Sequence, residues 1–436
     1  MKWPEFILEI IDTLNQNGFE AYLVGGCLRD ALLNRECHDY DIATQARPEQ
    51  ILNLFEHCQT KGMSHGTIVV SGKYDVEITT FRKESTYSDH RHPDSVSFVQ
   101  DIKEDLYRRD FTVNAMAYHP EKGIIDLFNG QKDLKDKILK TVKDASLSFQ
   151  EDALRMLRAF RFCAKLQFKM DDSLKIAIEK NKHLIQYVSK ERIWEELSEI
   201  LKYDPFQIEE MVDLLEPVLP ELKQCYNCQQ NSPYHFTNVL SHSLLSVSYC
   251  HPYDETIAYA LLFHDLGKPQ VKKTEKGVDH FKGHPKVSYE IAKRICTAFK
   301  VSNRQKERIE QLVYYHDDGF TKGLDSVYKF RIELNWDDER LNQLIEVRRC
   351  DLMAHSKKGR ETLHQLNDFI ELYEKCKKER IFTLKELNLN GKDIQNCDIP
   401  KEKIKEVLKD CLKYVFYHPD KNDKETLMLY IRDVWK

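Results

Sequence analysis

Leu23-Val24-Gly25-Gly26-Cys27-Leu28-Arg29-Asp30 is followed, after a short helix-like stretch, by His38-Asp39-Tyr40-Asp41-Ile42-Ala43. Side chains on a strand repeat with period two, so Asp39 and Asp41 are expected to point the same way. Two carboxylates on one face repel unless a cation lies between them, and hard oxygen ligands suit Mg²⁺. The glycine pair has no side chains, so a triphosphate can approach its backbone N–H groups closely. Arg29, at the head of a helix, can face a phosphate or pair with Asp30. Together these parts describe a metal-dependent nucleotidyl-transfer site.

Around this stretch, residues 20–24, 28–33, 40–43 and a helix opened by Pro48 alternate strand and helix patterns. Residues 66–71 and 74–81 flank Gly72-Lys73, a two-residue hairpin signal. Glu77, on the second hairpin strand, reads equally as a third carboxylate or as an outward strand residue. From about residue 146 glycine and proline thin out, and apolar residues recur at three and four. The fold class is therefore α+β: a small mixed α/β head followed by an all-helical body. Breaks at Asp204-Pro205, at 225–234 and near 380–382 suggest four parts. They are a head at 1–140, a helical neck at 141–224, a helical body at 225–360 and a tail at 361–436.

The chain has 436 residues, too many for one core, with 41% apolar and 31% charged residues, as in a globular protein. No apolar run reaches membrane-spanning length and Met1-Lys2-Trp3-Pro4 does not open a leader, so no membrane partner is expected. Twelve irregularly spaced cysteines suit reduced thiols and a cytoplasmic location. Cys225 and Cys228 have no second pair nearby to make a zinc site. The net charge of −5 means that a nucleic-acid partner needs a local basic surface. Nothing in the pattern indicates an oligomeric state.

Downstream, residues 83–94 form a polar, aperiodic segment that reads as a rearranging or an ordinary surface loop. Arg108-Arg109-Asp110 and Asn114 suit phosphate and ribose contacts, or an Arg–Asp cap. In Glu151-Asp152-Ala153-Leu154-Arg155-Met156-Leu157-Arg158, Asp152 and Arg155 are i, i+3 on a helix. They read either as an ion pair or as the acceptor and donors that read a base edge. In the body, His242, His264-Asp265, His284, His316 and Asp351 lie at the edges of apolar helical runs, which favours a divalent metal over isolated core histidines.

The ordered motifs LVGGCLRDALL, DYDIAT, VEITTFR, YSDHRHPDSV, LYRRDFTVNAMAY, IIDLFNGQKDL, EDALRMLRAFRF and SKERIWEEL resemble the class II tRNA nucleotidyltransferases. That family comprises the CCA-adding enzymes and bacterial poly(A) polymerases. The resemblance implies a polymerase-β-like head in which Asp39 and Asp41 hold catalytic Mg²⁺. It further implies that Asp152 and Arg155 select CTP and then ATP, and that Gly25, Gly26, Arg29, Arg109, Asp110, Asn114 and Arg158 bind nucleotide. Residues 82–94 match the family's flexible loop. The implied reaction is CCA addition to tRNA, with poly(A) synthesis or CC- or A-only addition as alternatives.

FHDLGKP resembles the HD phosphohydrolases, with His242, His264, Asp265 and Asp351 matching their ligands and His284 and His316 their additional histidines. That resemblance implies a divalent metal such as Mn²⁺ or Ni²⁺ and hydrolysis of a phosphoester, with Lys268 contacting phosphate. An HD hydrolase with a degenerate head is the alternative of another class. Residues 387–393 and the lysine-rich helices after them resemble the family's tRNA-gripping tail. Arg348, Arg349, Lys357, Lys358 and Arg360 form a further candidate RNA-contacting cluster.

Overall fold

The computed structural model describes residues 2–37, 39–60, 62–63, 66–84, 95–318, 320, 323–395 and 399–435. The chain divides into two compact units, residues 1–223 and 224–436.

The first unit opens with α1 (Glu5–Gln16), β1 (Ala21–Val24), α2 (Gly26–Leu32), β2 (Tyr40–Thr44) and α3 (Pro48–Leu54). Next come β3 (Cys58–Gln59), β4 (Thr67–Ser71), β5 (Asp75–Thr80), β6 (Arg82–Glu84), β7 (Val96–Phe98) and α4 (Ile102–Tyr107). The head closes with β8 (Met116–His119), β9 (Gly123–Asp126), α5 (Gly130–Asp136) and β10 (Ile138–Leu139). Seven of these strands form one sheet in the order β3-β4-β5-β2-β1-β8-β9. Only the central pair β2–β5 is parallel in that sheet.

Period-two alternation gives the sheet two apolar faces. Leu23, Ile42 and Ile78 join Ile7, Ile11 and Leu14 of α1 and Ile51 of α3 in one cluster. Tyr22, Val24 and Ala43 pack with Phe81 and with Ile102 and Leu106 of α4 on the other. Burial on both sides makes the centre of the sheet a rigid platform. The expected hairpin between β4 and β5 forms, but Ser71 pairs with Asp75, leaving Gly72, Lys73 and Tyr74 as a three-residue turn.

Helices dominate the rest of this unit: α6 (Ala145–Glu151), α7 (Leu154–Leu166), α8 (Asp172–Asn181) and α9 (Lys190–Tyr203), with β11 (Lys169–Met170) pairing β10. The short helices α10 (Gln207–Glu210), α11 (Val212–Leu215) and α12 (Pro220–Tyr226) follow. The helix expected across residues 151–158 is in fact two. Asp152 takes extended backbone, with φ −135° and ψ 105°. Its carboxylate accepts from the Leu154 N–H, 3.1 Å away, so the acid that ends α6 also satisfies a free donor of α7.

The second unit contains α13 (Val239–Ser248), α14 (Glu255–Phe263), α15 (Lys268–Val271), the β12 (Lys273–Glu275)–β13 (Val278–His280) hairpin, α16 (His284–Ala298), α17 (Asn303–Tyr315) and α18 (Leu324–Tyr328). It continues with α19 (Asp338–Ala354), α20 (Lys357–Arg360), α21 (Leu363–Glu379), α22 (Gly391–Gln395), α23 (Ile404–Tyr417) and α24 (Lys424–Val434). Helix α14 is apolar around its circumference, so all residues from Ile257 to Phe263 are buried. Side-chain caps from Asn238, Asp254, Ser302 and Asp337 fix the starts of α13, α14, α17 and α19. Among the described residues, no helix is long and apolar enough to cross a membrane. None of the eleven described cysteines, Cys225 and Cys228 included, is in a disulfide.

Candidate functional site

The first unit holds a cleft of about 940 Å³ lined by Gly25, Gly26, Arg29, Asp39, Asp41, Arg109, Asp110, Asn114, Asp152, Arg155 and Arg158. Strand β2 begins at Tyr40, so Asp39 lies just before it and is exposed, while Asp41 is inside it and half-buried. Parallel pairing sets Glu77 of β5 opposite Asp41 on the same face. Burial pushes the Asp41 carboxyl up to about 6; Arg109 pulls against that shift, and Glu77 and Asp39 add to it. A carboxylate cluster with an excess of negative field is a fitting donor set for a divalent cation.

Gly25 is required twice over at this point. Its φ of +76° favours glycine, and a Cβ there would lie 2.9 Å from Asp41 Oδ2 and 3.2 Å from Arg109 Nη1.

A chain of polar contacts crosses the cleft floor. Buried Arg29 makes a bidentate pair with Asp30, at 2.9 Å for each bond, and donates to Asn114 Oδ1 at 2.6 Å. Asn114 Nδ2 donates to Asp110 Oδ1 at 3.1 Å. Arg158 donates twice to Asp110 Oδ2, at 2.9 and 2.6 Å. Burial raises the Asp110 carboxyl, but Arg158 and Asn114 outweigh it and hold the group well below the usual carboxylate range. Arg109 pairs with buried Asp105 at 3.3 Å, which aims it at Asp41.

Asp152 and Arg155 both line the cleft without pairing with each other. Arg192 of α9 donates to Asp152 Oδ2 at 3.2 Å. Arg155 instead donates to Ser148 Oγ at 2.9 Å, Glu151 at 3.0 Å and the Arg108 carbonyl at 3.0 Å. The break at Asp152 removes the i, i+3 geometry that the sequence pattern suggested. Residues 85–94, most of the loop singled out in the sequence, lie outside the described residues.

In the second unit a separate cavity of about 440 Å³ is lined by His264, Asp265, Lys268, His284, His316, Arg348 and Asp351, among others. His264, His284 and His316 each donate Nδ1–H to the carbonyl three residues earlier, at 2.6, 2.9 and 2.7 Å. This fixes the tautomer of the neutral rings and turns each Nε2 lone pair inward. His264 Nε2 is 3.2 Å from Asp265 Oδ2 and 3.6 Å from Asp351 Oδ1. His242 Nε2 is 2.9 Å from the same Asp351 oxygen. On the other side of Asp265, His284 Nε2 lies 3.2 Å from Oδ1 and 3.1 Å from His316 Nε2.

With the rings neutral, histidine acceptors converge on both oxygens of Asp265, while the Lys268 ammonium stands 2.6 Å from Oδ2. Buried His264 Nε2 and both Asp265 oxygens lack a well-formed hydrogen bond. Burial disfavours charge on His264, yet with no cation between them Asp265 and Asp351 overcome it and push the imidazole up to about 10, so Nε2 then carries a proton that a bound metal would displace. The donor set fits divalent cations on each side of Asp265: His242, His264, Asp265 and Asp351 on one, Asp265, His284 and His316 on the other.

Family models match residues 21–140 (poly(A) polymerase head domain), 167–226 ("Probable RNA and SrmB- binding site of polymerase A") and 239–351 (HD domain). The chain thus carries a poly(A) polymerase head, a polymerase A RNA-binding region and an HD domain in that order. The CCA-adding enzyme of Lactococcus lactis subsp. cremoris is 48% identical over 207 residues, 46% of this chain and 52% of the relative. That of Lactobacillus delbrueckii subsp. bulgaricus is 50% identical over 190 residues, 43% and 48% of the two chains. The chain thus spans about half the length of the curated relatives it matches. A crystal structure of the Bacillus stearothermophilus CCA-adding enzyme in complex with CTP is similar at TM-score 0.70 and 27% identity, over 99% of each chain. The Thermotoga maritima CCA-adding enzyme complexed with tRNA shares the fold at TM-score 0.61 and 20% identity. Nucleotidyltransferase and HD domains generally use divalent metals, which agrees with both donor sets.

Several residues singled out in the sequence have partners within the protein. Arg29, while lining the cleft, pairs with Asp30 and Asn114. Lys268 is buried, 2.6 Å from Asp265 Oδ2, and donates to Gln230, so it braces the carboxylate. Arg348 binds Asp351 at 2.9 Å and Arg349 binds Glu346 and the Tyr249 carbonyl, so both of these candidate RNA-contacting arginines have partners within the protein. Lys401, Lys403, Lys405 and Lys409 are exposed. Sequence reasoning missed Arg192 and Glu196, which stand inside the matched SKERIWEEL motif; Glu196 holds Arg161 at 3.0 Å. It also missed His235 and His355, whose rings lie 5.0 Å from His242. His355, four residues after Asp351 and 3.6 Å from its Oδ1, could have been found from helical spacing, whereas His235 has no such signal.

Proposed function

We propose that this protein adds CCA to tRNA 3′ ends from CTP and ATP without a nucleic-acid template. The observation that carries the reading is Asp41, half-buried beside Asp39 and Glu77 in a cleft whose lining also includes Asp152, Arg155 and Arg158. The similarity to CCA-adding enzymes supports the choice of acceptor. A four-part organisation, with a head at 1–140, neck at 141–224, HD-type body at 225–360 and RNA-binding tail at 361–436, frames the proposal.

In this mechanism the tRNA 3′-hydroxyl attacks the α-phosphorus and pyrophosphate leaves. Asp39 and Asp41, with Glu77 beside them, hold Mg²⁺, which when bound neutralises the triphosphate and favours deprotonation of the hydroxyl. Gly25 and Gly26 let the phosphates reach the backbone, and Arg109 offers positive charge beside Asp41. Asp110 and Asn114, locked together by Arg29 and Arg158, contact the sugar. Asp152 and Arg155 select the base, with Arg192 orienting Asp152.

The test is a tRNA transcript ending at the discriminator base, given CTP and ATP separately and together. Incorporation of two C and one A, abolished by Asp41→Ala, is expected. Extension of an oligo(A) primer with ATP alone would instead make the protein a poly(A) polymerase.

A second activity is favoured by the acceptors converging on Asp265. The body hydrolyses a phosphoester using a transition metal such as Mn²⁺ or Ni²⁺ held by His242, His264, Asp265 and Asp351, with His284 and His316 offering a second position. Metal-stimulated hydrolysis of 2′,3′-cyclic AMP, lost in His264→Ala with CCA addition intact, is the expected result. Absence of hydrolysis with every divalent metal tried would leave the cluster as a structural centre.

A further inference from the structure

Most cleft arginines are already neutralised. Arg29, Arg109, Arg158 and Arg192 have carboxylate partners in Asp30, Asp105, Asp110 and Asp152. Two cations lining the same cleft do not follow this pattern: Arg35 and Lys165 have no carboxylate partner among the described residues. They are tied to each other through the backbone, since Arg35 Nη1 donates to the Lys165 carbonyl at 3.2 Å. Beside them, Tyr203 closes α9 and lines the cleft with 39% of its surface exposed. Lys165 Nζ lies 5.6 Å and Lys202 Nζ 5.4 Å from the Tyr203 ring centroid.

An exposed aromatic face flanked by uncompensated Lys165 and by Lys202, whose carboxylate partner Glu199 stands 4.0 Å away, has the composition of a single-stranded nucleic-acid site. The ring stacks a base, and the cations take the adjoining phosphates. A lysine ammonium over an exposed ring is held more weakly than a stacked base. Lys165 and Lys202 are long enough to swing from the ring to a phosphate as the base arrives.

The incoming nucleotide has different needs. Its triphosphate belongs next to Asp39 and Asp41, and its base next to Asp152. We propose that Tyr203, Lys165 and Arg35 form a subsite for an unpaired nucleotide of the RNA acceptor strand, with Tyr203 stacking the base. This deepens the transferase reading and rests on it for the placement of RNA in this cleft.

The probe is a fluorescent RNA minihelix ending at the discriminator base, titrated into full-length protein at several salt concentrations, with CTP binding measured alongside. Tyr203→Ala is expected to weaken RNA binding about tenfold and leave CTP affinity unchanged, while Tyr203→Trp retains binding. Arg35→Ala and Lys165→Ala are each expected to reduce the slope of log Kd against log salt by about 0.7 to 1. These side chains lie at the cleft surface, so an unchanged melting temperature confirms that the variants fold.

Unchanged RNA affinity in Tyr203→Ala, or an equal loss of CTP affinity, overturns the subsite. Failure of the transferase reading looks different: the wild-type protein binds the minihelix, with Tyr203 required, but adds no nucleotide. A wild-type protein that binds no RNA overturns both.

Discussion

Asp41 and Glu77 stand opposite each other on the one parallel strand pair of the seven-stranded sheet, β2 and β5. Their shared face concentrates negative charge, and burial raises the Asp41 carboxyl to about 6. Its folded value lies above the unfolded one, so the ionised form works against the fold. Metal-free protein should therefore gain stability as pH falls from 7 through 6 towards 4, where the unfolded state also takes up a proton. Mg²⁺ affinity should weaken over the same window, because binding must displace that proton. Asp41→Asn should raise metal-free stability at pH 7 by about 2 kcal/mol. Urea titrations across pH with and without Mg²⁺ check this; equal stability of mutant and wild type at pH 7 would refute it.

Asp110 has the opposite sign. Its carboxyl is held below the ordinary range by Arg158 and Asn114 despite burial. The stability it contributes is fully present above about pH 4, the unfolded value, and is lost as pH falls through the lower folded value. Asp110→Asn should cost about 2 kcal/mol at pH 7, with the difference from wild type shrinking below pH 4. Denaturation midpoints at pH 7, 4 and 2.5 measure it; a constant difference would mean that charge is not the cause.

Arg155 and Arg192 should separate in their effects. Arg155 ties α7 to Ser148, Glu151 and the Arg108 carbonyl, contacts that need a planar fork. Arg155→Lys should lower stability by about 2 kcal/mol and, because Arg155 also reads the base, disturb nucleotide selection with it. Arg192→Ala frees Asp152 at little cost to the fold and should change the ratio of CMP to AMP incorporation about tenfold. The comparison is melting temperature against nucleotide selection; loss of folding in Arg192→Ala alone would reverse the assignment.

The two-sided exposure of Asp265 to histidine nitrogens predicts two Mn²⁺ ions at this cluster, counted by calorimetric titration of chains whose head site is removed by Asp39→Ala and Asp41→Ala. His316→Ala should bind one, and Asp265→Ala none. A single ion at the intact cluster, unaffected by His316→Ala, would confine the metal to the His242 side.

The head was legible because its chemistry is written in short-range patterns. Asp41 needs only strand periodicity, with Asp39 just ahead of β2, and the glycine pair needs only its position after β1. The HD histidines were legible as a set because each sits where an apolar helical run ends. Less legible were roles decided by partners far away in the chain. Asp152 meets Arg192, forty residues on; Arg29 meets Asn114, eighty-five on.

By itself, the order of residues determined an α/β head followed by helices, an acidic pair suited to a cation and a His-Asp set suited to another. Those follow from side-chain period, glycine's missing Cβ and ligand chemistry, all local properties. Tertiary structure decided which charges are spent and which remain available. It set Glu77 beside Asp41, split the helix at Asp152, gave Arg155 to the backbone of Arg108 and left Arg35 and Lys165 uncompensated beside Tyr203. The physical reason is that a buried charge takes whatever partner packing brings within hydrogen-bond reach, and that partner has no fixed spacing in sequence.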